Sequence, residues 1–368
     1  MNNKGMVKKQ MIYLDNAATT KPIPFETEIW GNPSSPHIMG IRAERAISES
    51  REKIAKFLNV KPQEIFFTSG GTESNNIAIL GLNCTKIFAE PWEHPSIIQP
   101  ILALTKPNAG ITVNIGPIEK MLANISDVEN CLICLSHINH ETGDINNVAS
   151  LAKQIKEKNP QAIIHVDGAQ SMCKEKIEIE NIDMYSFSGH KLHGASGVGG
   201  LYVKNGIRLS PIIFGGGQEK KLRSGTENVK GILHLEAAIS VFPNEQLILH
   251  HIQSLYSCLA SLTNELPNTF INSRTNNTSP YIINISFVGL KGETLVHLLS
   301  ERGVYASMGA ACNSRKKEKS SLELMEFAPE RVSSAVRFSF SYTNTLEEVQ
   351  QAKLIIIDCV ETLRKVFR

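Results

Sequence analysis

The feature that most constrains this chain is a pair of strand-like segments in its middle, each of which ends in residues that can carry chemistry. The first, 163–167, is a continuous apolar run typical of a buried parallel strand, and it ends in Asp167. The second, 182–187, alternates in polarity and leads through a glycine to Lys191. Because the carboxyl ends of parallel strands lie side by side and α/β proteins bind ligands there, the two segments predict a site that contains Asp167 and Lys191.

Lys191 by itself allows two interpretations. A lysine after a strand is commonly a surface charge, but it can also be an amine that forms an imine with a carbonyl group. The neighbouring residues favour the second interpretation, because the two strand ends together offer an acid, an amide, a hydroxyl, an imidazole and an amine. These residues are Asp167, Gln170, Ser188, His190 and Lys191.

The length of the chain, 368 residues, predicts two domains, because a single hydrophobic core stops growing at roughly 250–300 residues. In the middle of the chain, strand-like and helical segments alternate, which predicts a doubly wound α/β domain that ends near Pro243. The predicted strands are 64–68, 86–89, 132–138, 163–167, 182–187, 281–287 and 336–340. The predicted helices are 41–58, 73–82, 148–158 and 293–301, with another that begins near Asn228.

Charge and apolar composition exclude several functions. Charged residues are 20% of the chain, the formal net charge is +2 and no long block carries one sign, so the sequence predicts neither nucleic-acid binding nor membrane-surface binding. No apolar run approaches the roughly 20 residues of a membrane-spanning helix, and no secretory signal is expected. The seven cysteines are scattered along the chain, which is untypical of a disulfide framework and predicts a reducing cytoplasm.

A turn of small residues, Ser69-Gly70-Gly71-Thr72, joins a predicted strand to a predicted helix. Free amides at a helix start favour an anion, and small residues allow a close approach, so phosphate is one candidate ligand. The alternative is an ordinary strand-to-helix turn capped by Thr72. The turn lacks the Gly-Lys-Ser/Thr of a Walker motif and the full dinucleotide glycine pattern, and both interpretations stay open.

Three cysteines and an arginine stand in informative places. Cys131 and Cys134 form a CxxC inside a buried-strand pattern without a second pair, which favours core packing over zinc, and no metal site is predicted. Cys312 precedes a lysine-rich segment, where a cationic, exposed setting favours the thiolate; the alternative is a small buried hydrophobe. The other cysteines lack such a setting and are expected to be buried. Arg337 either binds a substrate carboxylate with its guanidinium group or is a salt-bridge partner.

Together these motifs resemble, in order, those of the NifS-like cysteine desulfurases, which are pyridoxal-phosphate enzymes of the class V aminotransferase fold. The motifs are Asp15 to Thr20, Gly31-Asn32-Pro33-Ser34-Ser35, Thr68 to Asn75, Glu93-His94, His165 to Gln170, Ser186 to Lys191, Gly215 to Thr226 and the Cys312 segment. The resemblance implies a type I transferase fold, in which helices wrap a mostly parallel sheet. It implies a large cofactor-binding domain at 15–243. A smaller α+β domain, 1–14 and 244–368, would carry the Cys312 segment.

The resemblance also implies pyridoxal 5'-phosphate as the cofactor. Lys191 would hold it as an imine and move the proton from the substrate Cα. Asp167 would pair with the pyridine nitrogen, and Gln170 would bond the phenolate oxygen. His94 would stack on the ring and assist proton transfer. Where the family usually has a second asparagine that contacts the phenolate oxygen, this chain has His140.

Further residues would bind the phosphate and the substrate. The expected phosphate ligands are the amide of Gly71, the side chains of Thr72, Ser188 and His190, and Thr226 from the neighbouring subunit of a homodimer. Arg337 would bind the carboxylate of L-cysteine with the help of Asn32. Cys312 would attack the substrate sulfur, which leaves a persulfide on the protein.

The leading functional prediction is L-cysteine desulfuration, which yields L-alanine and sends sulfane sulfur through Cys312 to an acceptor protein. Iron–sulfur cluster assembly or the assembly of another thio-cofactor would use that sulfur. A selenocysteine lyase or a class V aminotransferase is an alternative, because a fold does not fix the chemistry. Transamination needs no thiol, so Cys312 argues against it. A third alternative is an inactive cofactor-bound interaction protein, which His140 and the short segment between Thr20 and Gly31 support.

Overall fold

The computed structural model describes residues 11–105, 110–125, 130–308 and 319–366. The chain divides into two compact units. The sheet unit comprises Thr20–Asn139 and Ile145–Glu245, and the terminal unit comprises the chain up to Thr19, His140–Asp144 and the chain from Gln246. Among the helices of the described ranges, none combines the length and the apolar character that a membrane crossing requires.

The strands are β1 (Ile12–Tyr13), β2 (Ile65–Thr68), β3 (Lys86–Ala89), β4 (Thr112–Ile115), β5 (Cys131–Ser136), β6 (Ile163–Asp167), β7 (Met184–Ser188), β8 (Gly199–Val203), β9 (Thr269–Ile271), β10 (Ile282–Phe287), β11 (Val304–Tyr305) and β12 (Ala335–Ser339). The helices are α1 (Ile38–Leu58), α2 (Gly71–Leu80), α3 (Pro95–Ala103), α4 (Ile118–Ala123), α5 (Val148–Lys158), α6 (Val229–Val241), α7 (Glu245–Ala260), α8 (Leu262–Glu265), α9 (Gly292–Glu301), α10 (Ser321–Leu324), α11 (Pro329–Ser333) and α12 (Leu346–Val366).

The sheet unit is built on a seven-stranded sheet with strand order β2-β8-β7-β6-β5-β3-β4. Strand β8 runs antiparallel to its neighbours β2 and β7, and the other neighbouring pairs of this sheet are parallel. This arrangement confirms the predicted α/β fold with a mostly parallel central sheet. Parallel strands are covered on both faces, which explains why β5 and β7 are buried at every position.

Side chains of β5 alternate between two apolar clusters. Ile133 and Leu135 belong to a cluster with residues of α1, α5 and α6, whereas Leu132 and Cys134 belong to a cluster with residues of α2 and α3. Because successive side chains of a strand point to opposite faces, helices cover both sides of the sheet. Cys131 and Cys134 are fully buried in these clusters, which confirms their predicted role in the core.

The ends of the predicted helices shift where a cap decides them. Strands β3 and β6 and helix α5 have the predicted bounds. Helix α1 begins at Ile38 instead of residue 41, because Nδ1 of His37 accepts the N–H of Gly40 over 3.3 Å. Helix α2 begins at Gly71, two residues earlier than predicted, and its N-cap is Gly70. The interpretation in which Thr72 caps this helix is therefore wrong.

The terminal unit has an α+β composition. Strands β12, β10 and β9 form an antiparallel sheet in that order, and β1 pairs in parallel with β11. Every residue of β10 and β12 is buried, as are Ile356 and Val360 of α12.

Residues 15–19 and 140–144 lie in the terminal unit, whereas the family resemblance predicts them in the 15–243 domain. The carboxylate of Asp144 accepts the hydroxyl of Ser273 over 2.5 Å and the N–H of Arg274 over 3.1 Å. The side chain of Asn284 donates to the carbonyl of Glu141 over 3.2 Å. These bonds join residues that are 129 to 143 positions apart, and a local sequence pattern does not encode such contacts.

Candidate active site

Asp167 and Lys191 follow neighbouring strands of the sheet unit. Asp167 is the last residue of β6, and its register partner is Ser186 in the parallel strand β7. Strand β7 ends at Ser188, and the chain reaches Lys191 through a single 3-10 turn. The acid and the amine therefore belong to the same edge of the sheet, where α/β folds bind ligands.

The carboxylate of Asp167 is supplied with hydrogen-bond donors. Nδ2 of Asn75 donates to Oδ2 over 2.8 Å, and the N–H of Ala169 donates to Oδ1 over 2.9 Å. Asp167 is 8% exposed, so its position is set by the protein and hardly by water. A carboxylate fixed in this way is suited to pair with a protonated nitrogen of a ligand.

His94 is the N-cap of α3, and its ring lies within electrostatic reach of Asp167 and Lys191. Nδ1 accepts the N–H of Ser96 over 3.1 Å, and the hydroxyl of Ser96 lies 2.7 Å from the same nitrogen. Burial lowers the pKa of His94; the charge of Asp167 acts against this change, and the charge of Lys191 adds to it. The ring is consequently held uncharged at neutral pH.

The start of α2 brings two of the predicted phosphate ligands together. Gly70, the N-cap, has φ 150°, a conformation that favours glycine, and no side chain of the described chain caps the helix there. A β-carbon at Gly71 would lie 3.6 Å from Cβ of Ser188. The open first turn of a helix favours an anion, because its amides point outward and the helix dipole is positive there.

The other predicted ligands of the sheet unit differ in burial. Gln170 is buried, His190 is half-buried, and Asn32, Thr72 and Thr226 are exposed. Burial lowers the pKa of His190 to about 4, and the charges of Lys191 and Lys174 add to this effect. The imidazole of His190 is therefore neutral at physiological pH.

Glu93 is a buried acid beside these residues. Its carboxylate accepts the N–H of Ser136 over 2.9 Å and also contacts the hydroxyl of Ser136, at the end of β5. Burial raises the pKa of Glu93 to about 8, and the negative charges of Glu90 and Asp167 contribute. Glu93, the residue before His94, is therefore a neutral acid at pH 7. Its bonds to Ser136 connect this segment to the end of the neighbouring strand β5.

Arg337 and His140 are brought together in the terminal unit. Arg337 is 5% exposed; its Nη2 donates to Oδ1 of Asp15 over 2.8 Å, and its Nη1 donates to the carbonyl of His140 over 2.8 Å. Nε of Arg337 is buried and has no partner among the described residues. The side chain of His140 lies 3.7 Å from Oε1 of Glu141. Arg337 thus is a salt-bridge partner and retains a donor that a carboxylate can use.

Cys312 lies outside the described residues. The six described cysteines are free thiols, and burial raises the pKa of each, to about 11 for Cys84 and about 12 for Cys173. Cys258 is half-buried, which corrects the expectation of a buried residue. Within the described ranges, no three His, Cys, Asp or Glu side chains lie together in a way that could hold a metal ion.

Several residues that hold the site have no role that the sequence motifs predict. Asn75, Ser96 and Ser136 bond Asp167, His94 and Glu93, and Asp15 bonds Arg337. The sequence contains one signal for Asn75, which is a polar residue in α2 on the side that carries Gly71. In the structure, Asn75 is 1% exposed. A buried amide on a helix must find partners, and here those partners are the active-site candidates.

Known proteins that are similar to this chain show first its family and then individual relatives. The Aminotransferase class-V family matches residues 12–352. A NifS/IcsS protein homolog of Lactobacillus delbrueckii subsp. bulgaricus is 36% identical, over 93% of this chain and 95% of that protein. The cysteine desulfurase IscS of Methanosarcina thermophila is 32% identical, over 97% of this chain and 94% of that protein. A solved structure described as a NifS-like protein superposes with a TM-score of 0.85 at 32% identity, and covers 96% of this chain and 100% of its own.

The chain therefore belongs to the class-V aminotransferase family, among the NifS-like and IscS-like proteins. This result confirms the resemblance drawn from the sequence. Proteins of this family generally use pyridoxal phosphate.

Proposed function

We propose that this protein is a pyridoxal-phosphate-dependent cysteine desulfurase. It converts L-cysteine to L-alanine, takes the sulfur onto Cys312 as a persulfide and passes it to an acceptor protein. The observation that carries the proposal is the pairing of β6 and β7, which sets Asp167 and Lys191 on one sheet edge with His94 in electrostatic reach. The relatives named cysteine desulfurase, aligned over nearly the whole chain, support the reaction.

The residues of the sheet unit fit the cofactor. Lys191 is the amine for its aldehyde, the buried carboxylate of Asp167 is the partner for its ring nitrogen, and Gln170 is a donor for its phenolate oxygen. The open first turn of α2 suits its phosphate, together with the side chains of Thr72, Ser188 and His190 and with Thr226 of the partner subunit. When bound, the cofactor supplies an electron sink for the pair left at the substrate Cα.

Residues of the chain would then carry out the separate steps of the reaction. Nζ of Lys191 takes the proton from Cα, and Nε of Arg337 donates to the substrate carboxylate. The thiolate of Cys312 forms a bond with the substrate sulfur while the bond between that sulfur and Cβ breaks. The electron pair stays with Cβ, which takes up one proton and becomes the methyl group of alanine. The thiol of Cys312 is thereby oxidised to a persulfide, and the substrate carbon is reduced.

A single experiment separates desulfuration from the alternatives. Purified protein is given L-cysteine briefly, alanine is measured, and each cysteine peptide is weighed by mass spectrometry. Desulfuration predicts alanine together with one added sulfur on the Cys312 peptide, and neither in Cys312→Ala. Cys258→Ala is the matched control, because Cys258 is the one described cysteine that is not buried.

Other outcomes would point to another class. Full alanine production by Cys312→Ala, without a persulfide on any peptide, favours a lyase that expels the sulfur directly. Transfer of the amino group to a keto acid favours an aminotransferase. Bound cofactor without any turnover favours an inactive interaction protein.

The proposed assembly is a homodimer in the cytoplasm. Two large aromatic side chains of the sheet unit, Trp30 and Phe214, are 74% and 82% exposed, and aromatic residues are enriched at protein–protein interfaces. A second subunit would contribute Thr226 to the phosphate site. The free thiols of the six described cysteines agree with a reducing compartment.

A further inference from the structure

We propose that Asn75 and Ser96 are positioning residues that hold the proton of His94 on Nε2 in the resting protein, so that Nε2 is the hydrogen-bond donor of the ring and Nδ1 is its acceptor. The catalytic meaning of this assignment rests on the proposed function. The state of the ring is a property of the folded chain and is measured independently.

The orientation of the Asn75 amide follows from its partners. Oδ2 of Asp167 lies 2.8 Å from Nδ2, and because a carboxylate only accepts, the amide NH2 must face it. Oδ1 then faces the opposite side, where Nε2 of His165 at 2.9 Å and Oγ of Ser186 at 2.6 Å both donate to it. A reversed amide would place its oxygen against the carboxylate and lose these bonds. The direction of every hydrogen at Asn75 is therefore determined.

The orientation of the Asn75 amide also determines where the hydroxyl hydrogen of Ser96 points. The second hydrogen of the Asn75 amide goes to Oγ of Ser96, 2.8 Å away. Because that oxygen accepts from Asn75, its own hydrogen is left to donate to Nδ1 of His94, at 2.7 Å. The backbone N–H of Ser96 donates to the same nitrogen over 3.1 Å. Two donors thus face Nδ1, which must carry the lone pair, and the neutral ring carries its proton on Nε2.

A ring in this state has no nitrogen ready to accept a proton. Protonation of Nδ1 would place a hydrogen against a backbone N–H and force the Ser96 hydroxyl to turn away. Asp167 and Lys191 are the charged groups whose fields act on His94, the first favouring the cation and the second opposing it, while burial lowers the pKa of the ring. The proton from the substrate Cα is accordingly left to Lys191.

The test measures directly which ring nitrogen of His94 carries the proton. Holoprotein with ¹⁵N-labelled histidine is studied by NMR, because the chemical shifts of protonated and unprotonated ring nitrogens differ. The signals of His94 are identified by their loss in His94→Gln. For the wild type we expect a protonated Nε2 and an unprotonated Nδ1 at neutral pH. Ser96→Ala should raise the pKa of His94, because the neutral ring loses a donor, and Ser96→Thr, which keeps the hydroxyl, should restore the wild-type value.

Ser74→Ala is the matched control. Ser74 is a fully buried serine beside Asn75, and its hydroxyl bonds Oγ1 of Thr68 over 2.8 Å and the carbonyl of Gly200 over 3.0 Å. Its removal disturbs the core without touching the chain of bonds to His94, so the ring signals should not move.

Two results would overturn the proposal: a wild-type ring with its proton on Nδ1, or an unchanged ring pKa in Ser96→Ala. If Ser96→Ala does not fold, the wild type and Ser96→Thr decide, because a proton on Nδ1 in either of them contradicts the assignment. Failure of the proposed function looks different. A protein that makes no alanine from cysteine but has the expected ring state supports the assignment of the His94 proton and contradicts the desulfurase function.

Discussion

Arg337 and Asp15, 322 positions apart in the chain, form a salt bridge in which Nη2 donates to Oδ1 over 2.8 Å. The same guanidinium holds the carbonyl of His140, and its Nε has no partner within the described ranges. A buried donor without a partner costs free energy unless a ligand satisfies it. The arrangement therefore holds the guanidinium in place and leaves Nε as a donor that a carboxylate can use, which is the role proposed for Arg337 toward the substrate.

Arg337→Gln tests this role. We expect the variant to raise KM for L-cysteine about 10- to 100-fold, because hydrogen bonds to charged groups contribute about 1.5–3 kcal/mol and 1.4 kcal/mol is a factor of ten. For L-cysteine methyl ester, which has no carboxylate, the rise should be much smaller. Steady-state kinetics with both substrates measures the difference. Arg331→Gln, a half-buried arginine of the same unit, is the control, and equal losses with both substrates in Arg337→Gln would contradict the assignment.

Lys191 should be the residue that carries the cofactor. Borohydride reduction of the holoprotein should fix the cofactor to the Lys191 peptide and remove the visible absorption band, and Lys191→Ala should bind no reducible cofactor. The sheet unit contains a competing amine, Lys174, which is buried and whose pKa burial lowers to about 8. Peptide mapping decides between the two lysines. Label on Lys174 would disprove the assignment.

Cys312 should be the most reactive thiol of the chain. Each of the six described cysteines has a pKa that burial raises, and the thiolate is the form that reacts with alkylating agents. Brief treatment with iodoacetamide at neutral pH should therefore modify mainly the Cys312 peptide and stop turnover without release of cofactor. Cys258→Ala should be inactivated as fast as the wild type. Modification that falls mainly on a described cysteine would contradict this prediction.

Glu93 should make stability depend on pH in a defined direction. Its pKa in the folded chain, about 8, is raised from 4.5, so the folded state binds more protons than the unfolded state between these values. The stability that this neutral acid contributes is therefore complete below pH 4.5 and is lost as pH rises through 8. Because one pKa unit corresponds to about 1.4 kcal/mol, even part of this shift gives a measurable change.

Glu93→Gln removes the titration while it keeps a hydrogen-bonding side chain. The free energy of unfolding of the wild type, measured by urea denaturation, should fall relative to Glu93→Gln by about 1 kcal/mol or more between mildly acidic pH and pH above 8. Glu73→Gln is the control: the ion pair with Arg223 helps to hold the pKa of Glu73 below its usual value, so its difference from the wild type should be constant over this range. A constant difference for Glu93→Gln would show that Glu93 is ionised.

Phe214 should contribute to the contact between subunits. Phe214→Asp should raise the dissociation constant of the homodimer at least about tenfold, because aromatic anchors of an interface contribute roughly 2 kcal/mol or more. Leu247→Asp is the control, since Leu247 is 83% exposed and Phe214 82%. Analytical ultracentrifugation of the holoprotein measures the constant. A monomeric wild type at micromolar concentration would contradict the homodimer.

Much of the sheet unit was predictable from the sequence because its information is local. An apolar run such as 163–167 is sufficient to identify a buried strand, and alternation of strands with helices is sufficient to predict a doubly wound sheet. The candidates Asp167 and Lys191 were found for the same reason: each follows a strand, and parallel strands end at one edge. The order β2-β8-β7-β6-β5-β3-β4 was not predictable, because strand order depends on which distant segments pair.

By itself, then, the sequence determined the class of fold, the strand-end acid and amine, and the family motifs, all of which are written in residues close together in the chain. Only the tertiary structure decided what holds them. Asn75 reaches Asp167 across 92 positions, Glu93 reaches Ser136 across 43, and Arg337 reaches Asp15 across 322. Hydrophobic periodicity records which face of an element is buried, but it carries no record of the polar partner that a buried amide, acid or guanidinium meets after folding.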